Sequence, residues 1–225
     1  MARLPRLAVA GQAHLALMLG HSAQPVFTDD DDCRLFLAAL REAALQHGVA
    51  VHAYALQPAE VLLLLTPATD SAIGALMQGL GRRYGAAFNR RHGRRGTLWA
   101  GRFRTAVVQP GTHLLEALLH VDLQGQASGA GAADRSSLGH HLGQRRDPLI
   151  TDCAAWWALG NTPFEREAAY RRCLADGLAP ERAAALAEAV HKGWAVGDAG
   201  FLAALAQQAD RPVRPRPRGR PPRQG

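Results

Sequence analysis

The chain has 225 residues, a hydrophobic content of 48%, a net charge of +7 and a pI of about 10.3. That length and apolar fraction are typical of a folded protein with one large domain, and the basic balance favours nucleic acid or an anionic surface as the partner. No apolar run is long enough to span a bilayer, and we expect no secretory signal. The chain has three cysteines and no closely spaced pair, which excludes a zinc knuckle and fits a reduced, cytoplasmic compartment.

The pattern of apolar residues predicts an α+β fold. Side chains of Thr28 and the acidic run Asp29–Asp32 can cap a helix, and Gly48 can close it in the left-handed conformation. The predicted elements are, in chain order, a strand over Leu7–Leu19, a helix between Asp29 and Gly48, strands over Val49–Tyr54 and Val61–Leu65, a helix over Ala72–Phe88, a strand over Leu98–Val108 and a helix over His113–Leu123. This order is typical of a ferredoxin-like sandwich, in which an antiparallel sheet carries helices on one face.

A stretch rich in Gly, Ser and Ala, from Gly125 to Gly143, predicts a loop or a domain boundary. We therefore expect a ferredoxin-fold domain over residues 1–130 and a small helical region over residues 131–209. The helices predicted in the second region are Cys153–Leu159, Phe164–Leu174 and Pro180–His191. Residues 210–225 form a tail that is too rich in arginine and proline to pack a core, so we expect it to be disordered in isolation.

The densest positive charge lies in a segment of 23 residues that holds eight arginines, four aromatic residues and no acidic residue. Guanidinium groups fork onto phosphate oxygens, and aromatic rings offer platforms for unpaired bases. The segment predicts a nucleic-acid surface, because an ordinary solvated face mixes both signs of charge. The aromatic residues have a second interpretation as core residues. The arginines are Arg82, Arg83, Arg90, Arg91, Arg94, Arg95, Arg102 and Arg104, and the aromatic residues are Tyr84, Phe88, Trp99 and Phe103.

Several segments together resemble the REP-associated tyrosine transposases, relatives of the single-strand transposases of the HUH nuclease superfamily. They are MARLPRLAVAGQAH, FTDDDDCRLFLAALREA, VHAYALQP, GRRYGAAFNRRHGRRGTLWAGRFR and DPLIT, within residues 1–175. The resemblance implies a ferredoxin-like nuclease fold and a hairpin or single-stranded DNA substrate. It also implies a tyrosine that attacks a DNA phosphate, with a divalent cation held by a His-hydrophobic-His pair and by an amide on the tyrosine helix.

The chain departs from this family at the positions that carry the chemistry. Glu60 and Leu62 stand where the histidine pair is expected, and His120 stands where the tyrosine is expected. Gln124, four residues further on, keeps the amide. Glutamate can bind Mg²⁺ but leucine cannot, so we expect no cofactor, whereas an active site would need Mg²⁺ or Mn²⁺. Histidine can attack phosphorus; the alternative is that His120 is a polar residue of an amphipathic helix and Glu60 a solvated carboxylate.

The C-terminal tail contains Arg218-Gly219-Arg220-Pro221, which matches the core of an AT-hook. In such a motif the arginines enter the narrow minor groove of A·T-rich DNA, where the negative potential is concentrated. A polybasic arm without groove specificity is the alternative, and either one adds affinity for duplex DNA.

These observations favour a nucleoid-associated DNA-binding protein, derived from a transposase, that recognises hairpin or single-stranded DNA and has a degenerate active centre. Two other hypotheses are an active transposase or nicking enzyme and an RNA-binding regulatory protein. None of the three requires a membrane.

Overall fold

The structure, a computed structural model, describes residues 6–126 and 135–215. The elements are β1 (Ala13–Leu19), a 3-10 helix (His21–Ala23), α1 (Asp30–His47), β2 (Val49–Gln57), β3 (Glu60–Pro67), α2 (Ala72–Arg91), β4 (Arg104–Val108), α3 (Thr112–Gln126), α4 (Leu138–His141), α5 (Ala154–Trp157), α6 (Pro163–Asp176), α7 (Pro180–Lys192) and α8 (Ala199–Gln208). Within these ranges, every helix is too short or too polar to cross a membrane.

The strands form one antiparallel sheet in the order β2-β3-β1-β4. β1 lies in the middle, so that Leu17 is opposite Leu62 of β3 and opposite Arg104 of β4. β2 and β3 form a hairpin in which Gln57 pairs with Glu60. Since α1 connects β1 to β2 and α2 connects β3 to β4, this is the ferredoxin-like topology, and the predicted fold class is confirmed.

Helices α1 and α2 cover one face of the sheet. Asp29 caps α1 by accepting a hydrogen bond from the Asp32 N–H (3.0 Å), and Gly48 ends the helix with a φ of 63°. Phe36 of α1 and Tyr84 of α2 are buried and meet edge to face, with ring centroids 5.1 Å apart. Because burial of one large apolar side chain contributes about 1.5–3 kcal/mol, this pair helps to hold both helices on the sheet.

The second face of the sheet is also covered, which the sequence analysis did not indicate. α3 packs across β2 and β3, and the C-terminal helices α5, α6 and α7 join it in one apolar cluster. The sheet contributes Leu15 and Leu17 from β1 and Leu62 and Leu64 from β3 to this cluster. The helical region after residue 135 is therefore packed against the ferredoxin-like sheet.

The same C-terminal region protects both edges of the sheet. On the β2 edge, the Thr151 N–H donates to the Val51 carbonyl (2.8 Å). On the β4 edge, the Val196 N–H donates to the Val107 carbonyl (2.8 Å). Unpaired strand edges are templates for aggregation, so these bonds satisfy backbone groups that would otherwise be exposed.

A buried carboxylate connects α3 to the C-terminal helices. Asp122 is fully buried and accepts hydrogen bonds from the hydroxyls of Ser137 and Tyr170 (both 2.7 Å). The ring of His141 lies 2.7 Å from the same carboxylate through its Nδ1 atom. Burial, and then the Asp122 carboxylate, raise the pKa of Tyr170. A buried charge is tolerated only when it is paired and hydrogen-bonded, so the position of each of these side chains depends on the others.

The strand predicted over Leu98–Val108 is shorter in the structure, because its first half is an irregular loop. Gly101 adopts a φ of 87°, and the Trp99 indole N–H donates to the Gly81 carbonyl of α2 (3.2 Å). These features turn residues 98–103 toward α2, and only Arg104–Val108 continues as a strand beside β1.

The folded part of the chain extends into the predicted tail. Val213 is 3% exposed and packs with Leu7 and Leu205, and its carbonyl accepts from the Ala195 N–H (2.9 Å). Residues 211–213 therefore belong to the packed body. The AT-hook-like residues Arg218 and Arg220 lie outside the described residues.

Candidate nucleic-acid interface

Four arginines of the basic segment are exposed, and their side chains make no hydrogen bond or ion pair with any residue in the described ranges. Two are on α2 and two are on the loop that follows it. An exposed guanidinium without a partner keeps its five N–H donors for a ligand. We call this set the unpaired arginines: Arg82, Arg90, Arg95 and Arg102.

Three other arginines of the segment have partners on neighbouring elements. Arg83 forms an ion pair with Glu42, Arg94 donates to the side-chain oxygen of Gln24 (2.8 Å), and Arg104 donates to the carbonyl of His191 (3.0 Å). Exposed pairs of this kind contribute little to stability. These residues can therefore exchange their protein partner for a phosphate at small cost.

Arg91 differs from the other seven arginines because three carboxylates surround it. Its guanidinium lies 2.7 Å from Asp29, 3.1 Å from Asp31 and 2.6 Å from Asp32. The Asp32 side chain is completely buried, and the His92 ring approaches it at 3.0 Å. This carboxylate clamp joins the start of α1 to the end of α2, so Arg91 has a structural role in addition to any contact with a ligand.

The clamp changes the acid–base properties of its carboxylates. Hydrogen bonds from Arg91 lower the pKa of Asp29 to about 2. Burial opposes ionisation of Asp32, but hydrogen bonds from His92, the Thr28 N–H and Arg91 leave its pKa below the usual value. Both groups therefore stabilise the fold when they are ionised.

The four aromatic residues of the segment divide into two pairs. Tyr84 and Phe88 are 1% and 2% exposed and belong to the core between α1 and α2. Trp99 and Phe103 are only partly buried. Arg6 lies over the Phe103 ring, 3.8 Å from its centre. Only the second pair has ring surface near solvent, so the first pair cannot stack on a base in this structure.

The three expected metal-ligand positions are brought close to one end of the β2–β3 hairpin, but their donors do not suit a cation. Glu60 begins β3, and the Gln57 amide opposite it donates to the Gln124 side-chain oxygen (2.9 Å). Leu62 is 4% exposed within the apolar cluster under α3. Because this set retains one carboxylate, one engaged amide and one aliphatic side chain, it does not fit a hard divalent cation. Within the described ranges, no group of three or more His, Cys, Asp or Glu side chains can hold a metal ion.

His120, at the expected position of the nucleophile, lies on α3 and is 6% exposed. Burial lowers its pKa, which favours the neutral ring. No general base or orienting carboxylate among the described residues forms a hydrogen bond with it. A nucleophile needs such a neighbour for activation. The surroundings of His120 are instead those of a side chain packed in the helical layer formed by α3 and the C-terminal helices.

Sequence reasoning missed the carboxylate clamp. The acidic run Asp29–Asp32 has the pattern of a helix start, but it also neutralises part of the basic segment. About sixty positions separate the acidic run from Arg91 in the chain. Neither segment has a sequence pattern that signals their contact. The only available signal was the unusual length of the acidic run.

No family model matches the chain, and no curated protein matches it. Among solved structures, the chain is similar to a REP-associated tyrosine transposase bound to a REP hairpin, with 14% identity and a TM-score of 0.49 over 69% of this chain and 96% of that one. It is also similar to a “putative transposase” from Deinococcus radiodurans R1, with 23% identity and a TM-score of 0.36 over 55% of this chain and 98% of that one. Both TM-scores are below 0.5, so neither similarity decides the function.

The carboxylate clamp predicts that Arg91→Ala destabilises the fold at neutral pH by more than the ~0.5 kcal/mol typical of surface substitutions. The folded pKa values of Asp29 and Asp32 are depressed, so their stabilisation is complete above the unfolded value near pH 4 and is lost as the pH falls through the folded pKa values, about 2 for Asp29. The difference between the wild type and the variant should shrink over that window. Urea unfolding at a series of pH values measures it.

Arg90→Ala is the matched control, since Arg90 is the exposed neighbour without a partner in the described part of the chain. It should unfold like the wild type at every pH. Equal destabilisation by the two substitutions would contradict a structural role for the clamp.

Proposed function

We propose that this chain is a DNA-binding protein of the REP-associated transposase kind, which binds hairpin or partly single-stranded DNA without cleaving it. The observation that carries the proposal is the set of unpaired arginines on α2 and the following loop: Arg82, Arg90, Arg95 and Arg102. A protein of this kind would act on chromosomal DNA at the nucleoid.

Charge compensation supports a polyanionic ligand at this surface. The acidic run at the start of α1 is held by Arg91, Arg34 and Arg135. These carboxylates are therefore already paired and do not neutralise the unpaired arginines. Positive groups left without counter-charges attract phosphates and release the counterions bound to them, which is the main source of affinity for nucleic acid.

The helical layer of α3 and the C-terminal helices, which covers the second face of the sheet, supports the proposal that the protein does not cleave DNA. Phosphodiester cleavage by the family's route needs a metal and an activated nucleophile in line with the phosphate. Here Leu62 lies beneath α3 in the apolar cluster that includes the C-terminal helices, and His120, on α3 itself, is also buried. A phosphate could reach them only if this layer opened. We therefore propose that the face used for chemistry in the family serves as a packed core in this chain.

Binding of a DNA hairpin with an unpaired extension should depend steeply on salt. With four phosphates contacted, a rise from 50 to 200 mM salt should weaken binding by about 50-fold for single-stranded contacts and about 150-fold for duplex contacts. Replacing the four unpaired arginines with alanine should reduce the slope of log affinity against log salt by about 3. Fluorescence anisotropy at several salt concentrations measures both quantities.

The matched control replaces four exposed arginines outside the segment: Arg41, Arg146, Arg171 and Arg172. It removes the same charge and should change the slope much less. If both quadruple variants bind equally well, and circular dichroism shows that both are folded, the unpaired arginines are not the DNA surface.

A labelled hairpin incubated with the protein and Mg²⁺ or Mn²⁺ should remain intact and free of covalent protein. The reason is that Leu62 cannot ligate a metal and His120 lacks an activating neighbour. Denaturing electrophoresis detects both products. A shifted band that survives denaturation in the wild type and is absent from His120→Ala would make His120 a nucleophile and contradict this prediction.

The tail remains a prediction from the sequence. Deleting residues 216–225, which contain Arg218 and Arg220, should lower affinity for duplex DNA, and more for A·T-rich than for G·C-rich duplexes if the minor groove is recognised. This truncation keeps Val213, which is packed in the fold. Equal losses on both duplexes would reduce the tail to a polybasic arm.

A further inference from the structure

A groove of about 1090 Å³ lies between α2 and the loop of residues 96–103. It is as large as the largest small-molecule sites, which span about 300–1,000 Å³. One wall is the surface of α2, and the other is the loop, which contributes Trp99. The groove is distinct from the degenerate catalytic positions, which lie on the opposite face of the sheet.

The groove carries positive charge at its rim. Arg82 on α2 and Arg102 on the loop both line it, and both belong to the unpaired arginines. No carboxylate is among its lining residues in the described part of the chain. Two guanidinium groups on opposite walls are complementary to a phosphodiester, which carries one negative charge per nucleotide.

Several residues of the α2 wall of the groove are glycines, which have no side chain. Gly74, Gly81 and Gly85 share one side of the helix with Arg82. A Cβ atom would meet nothing within 4 Å at Gly74, and no atom closer than 3.6 Å at Gly81 or 3.8 Å at Gly85. Packing therefore does not require glycine at these positions, although each helical glycine costs about 1 kcal/mol relative to alanine. Because these glycines have no side chains, the groove stays open.

Trp99 presents an aromatic surface in the groove. Its indole N–H is fixed by the Gly81 carbonyl (3.2 Å), and its ring packs near Tyr84 and Phe36, with centroids 6.0 and 6.3 Å away. The ring is thus held in place from the core side and remains partly exposed on the other. A fixed aromatic ring is a stacking platform for an unpaired base. A base inside a duplex is covered on both faces by its neighbours and cannot use such a platform.

We propose that this groove holds an unpaired nucleotide of the bound DNA, with its base against Trp99 and the bare face of α2 and its phosphates at Arg82 and Arg102. This assignment rests on the proposed function and specifies which part of the DNA the protein distinguishes. The other two members of the set, Arg90 and Arg95, hold the base-paired part of the DNA through its backbone, without regard to sequence.

The test fills the groove without removing charge. Gly85→Met and Gly74→Met each place a long side chain in it, and both replace glycine with a better helix former, so the fold should be kept. Gly79→Met is the matched control, because Gly79 lies on the same helix, does not line the groove, and its Cβ would meet only His47, at 4.0 Å. The probes are one DNA hairpin in two forms, blunt and with a short unpaired extension, and the same hairpin with an RNA extension.

We expect the wild type to bind the hairpin with the DNA extension more tightly than the blunt one. Gly85→Met and Gly74→Met should weaken binding of the extended hairpin by about tenfold and leave blunt-hairpin binding unchanged, while Gly79→Met binds both like the wild type. If the wild type binds neither hairpin, the proposed function itself fails. If the wild type binds but the groove variants match Gly79→Met, or lose both hairpins equally, the groove assignment alone is overturned. Tighter binding of the RNA extension would overturn its assignment to DNA.

Discussion

The central constraint on this structure is that both faces of its sheet are apolar and both must be covered. Along β1 and β3, alternating side chains point to opposite faces, yet Leu15 and Leu64 on one side and Met18 and Leu63 on the other are all buried. Two helices cover one face, and α3 with the C-terminal helices covers the other. Within the described residues, both faces of the sheet are therefore packed against helices.

That constraint also explains why Leu62 is buried under the C-terminal region. Leu62, where the resemblance leads us to expect a metal ligand, contributes to the same apolar cluster as α5, α6 and α7. The buried carboxylate of Asp122 contacts α4 through Ser137 and His141 and α6 through Tyr170. Since each of these donors depends on the same two oxygens, the second layer is held by directed bonds as well as by apolar contact.

The basic segment divides its arginines between ion pairs within the fold and exposed positions. Arg91 forms ion pairs in the carboxylate clamp, whereas the side chain of its neighbour Arg90 is exposed and unpaired within the described ranges. The groove beside α2 adds a second element to the same surface, since Arg82 and Arg102 frame Trp99. Exposed arginines and a partly exposed aromatic ring lie side by side here because the loop folds onto α2.

Local patterns in the sequence determined the topology. The acidic cap at Asp29, the break at Pro58 and the helical spacing after Ala72 each act within a few residues, which is why the ferredoxin-like order could be predicted. The same was true of the arginine-rich segment as a charged surface. Tertiary structure decided which arginines are paired, that Tyr84 is core while Trp99 lines a groove, and that α3 and the C-terminal helices close the second face. Those outcomes depend on contacts between residues tens of positions apart, and no local propensity or spacing encodes such contacts.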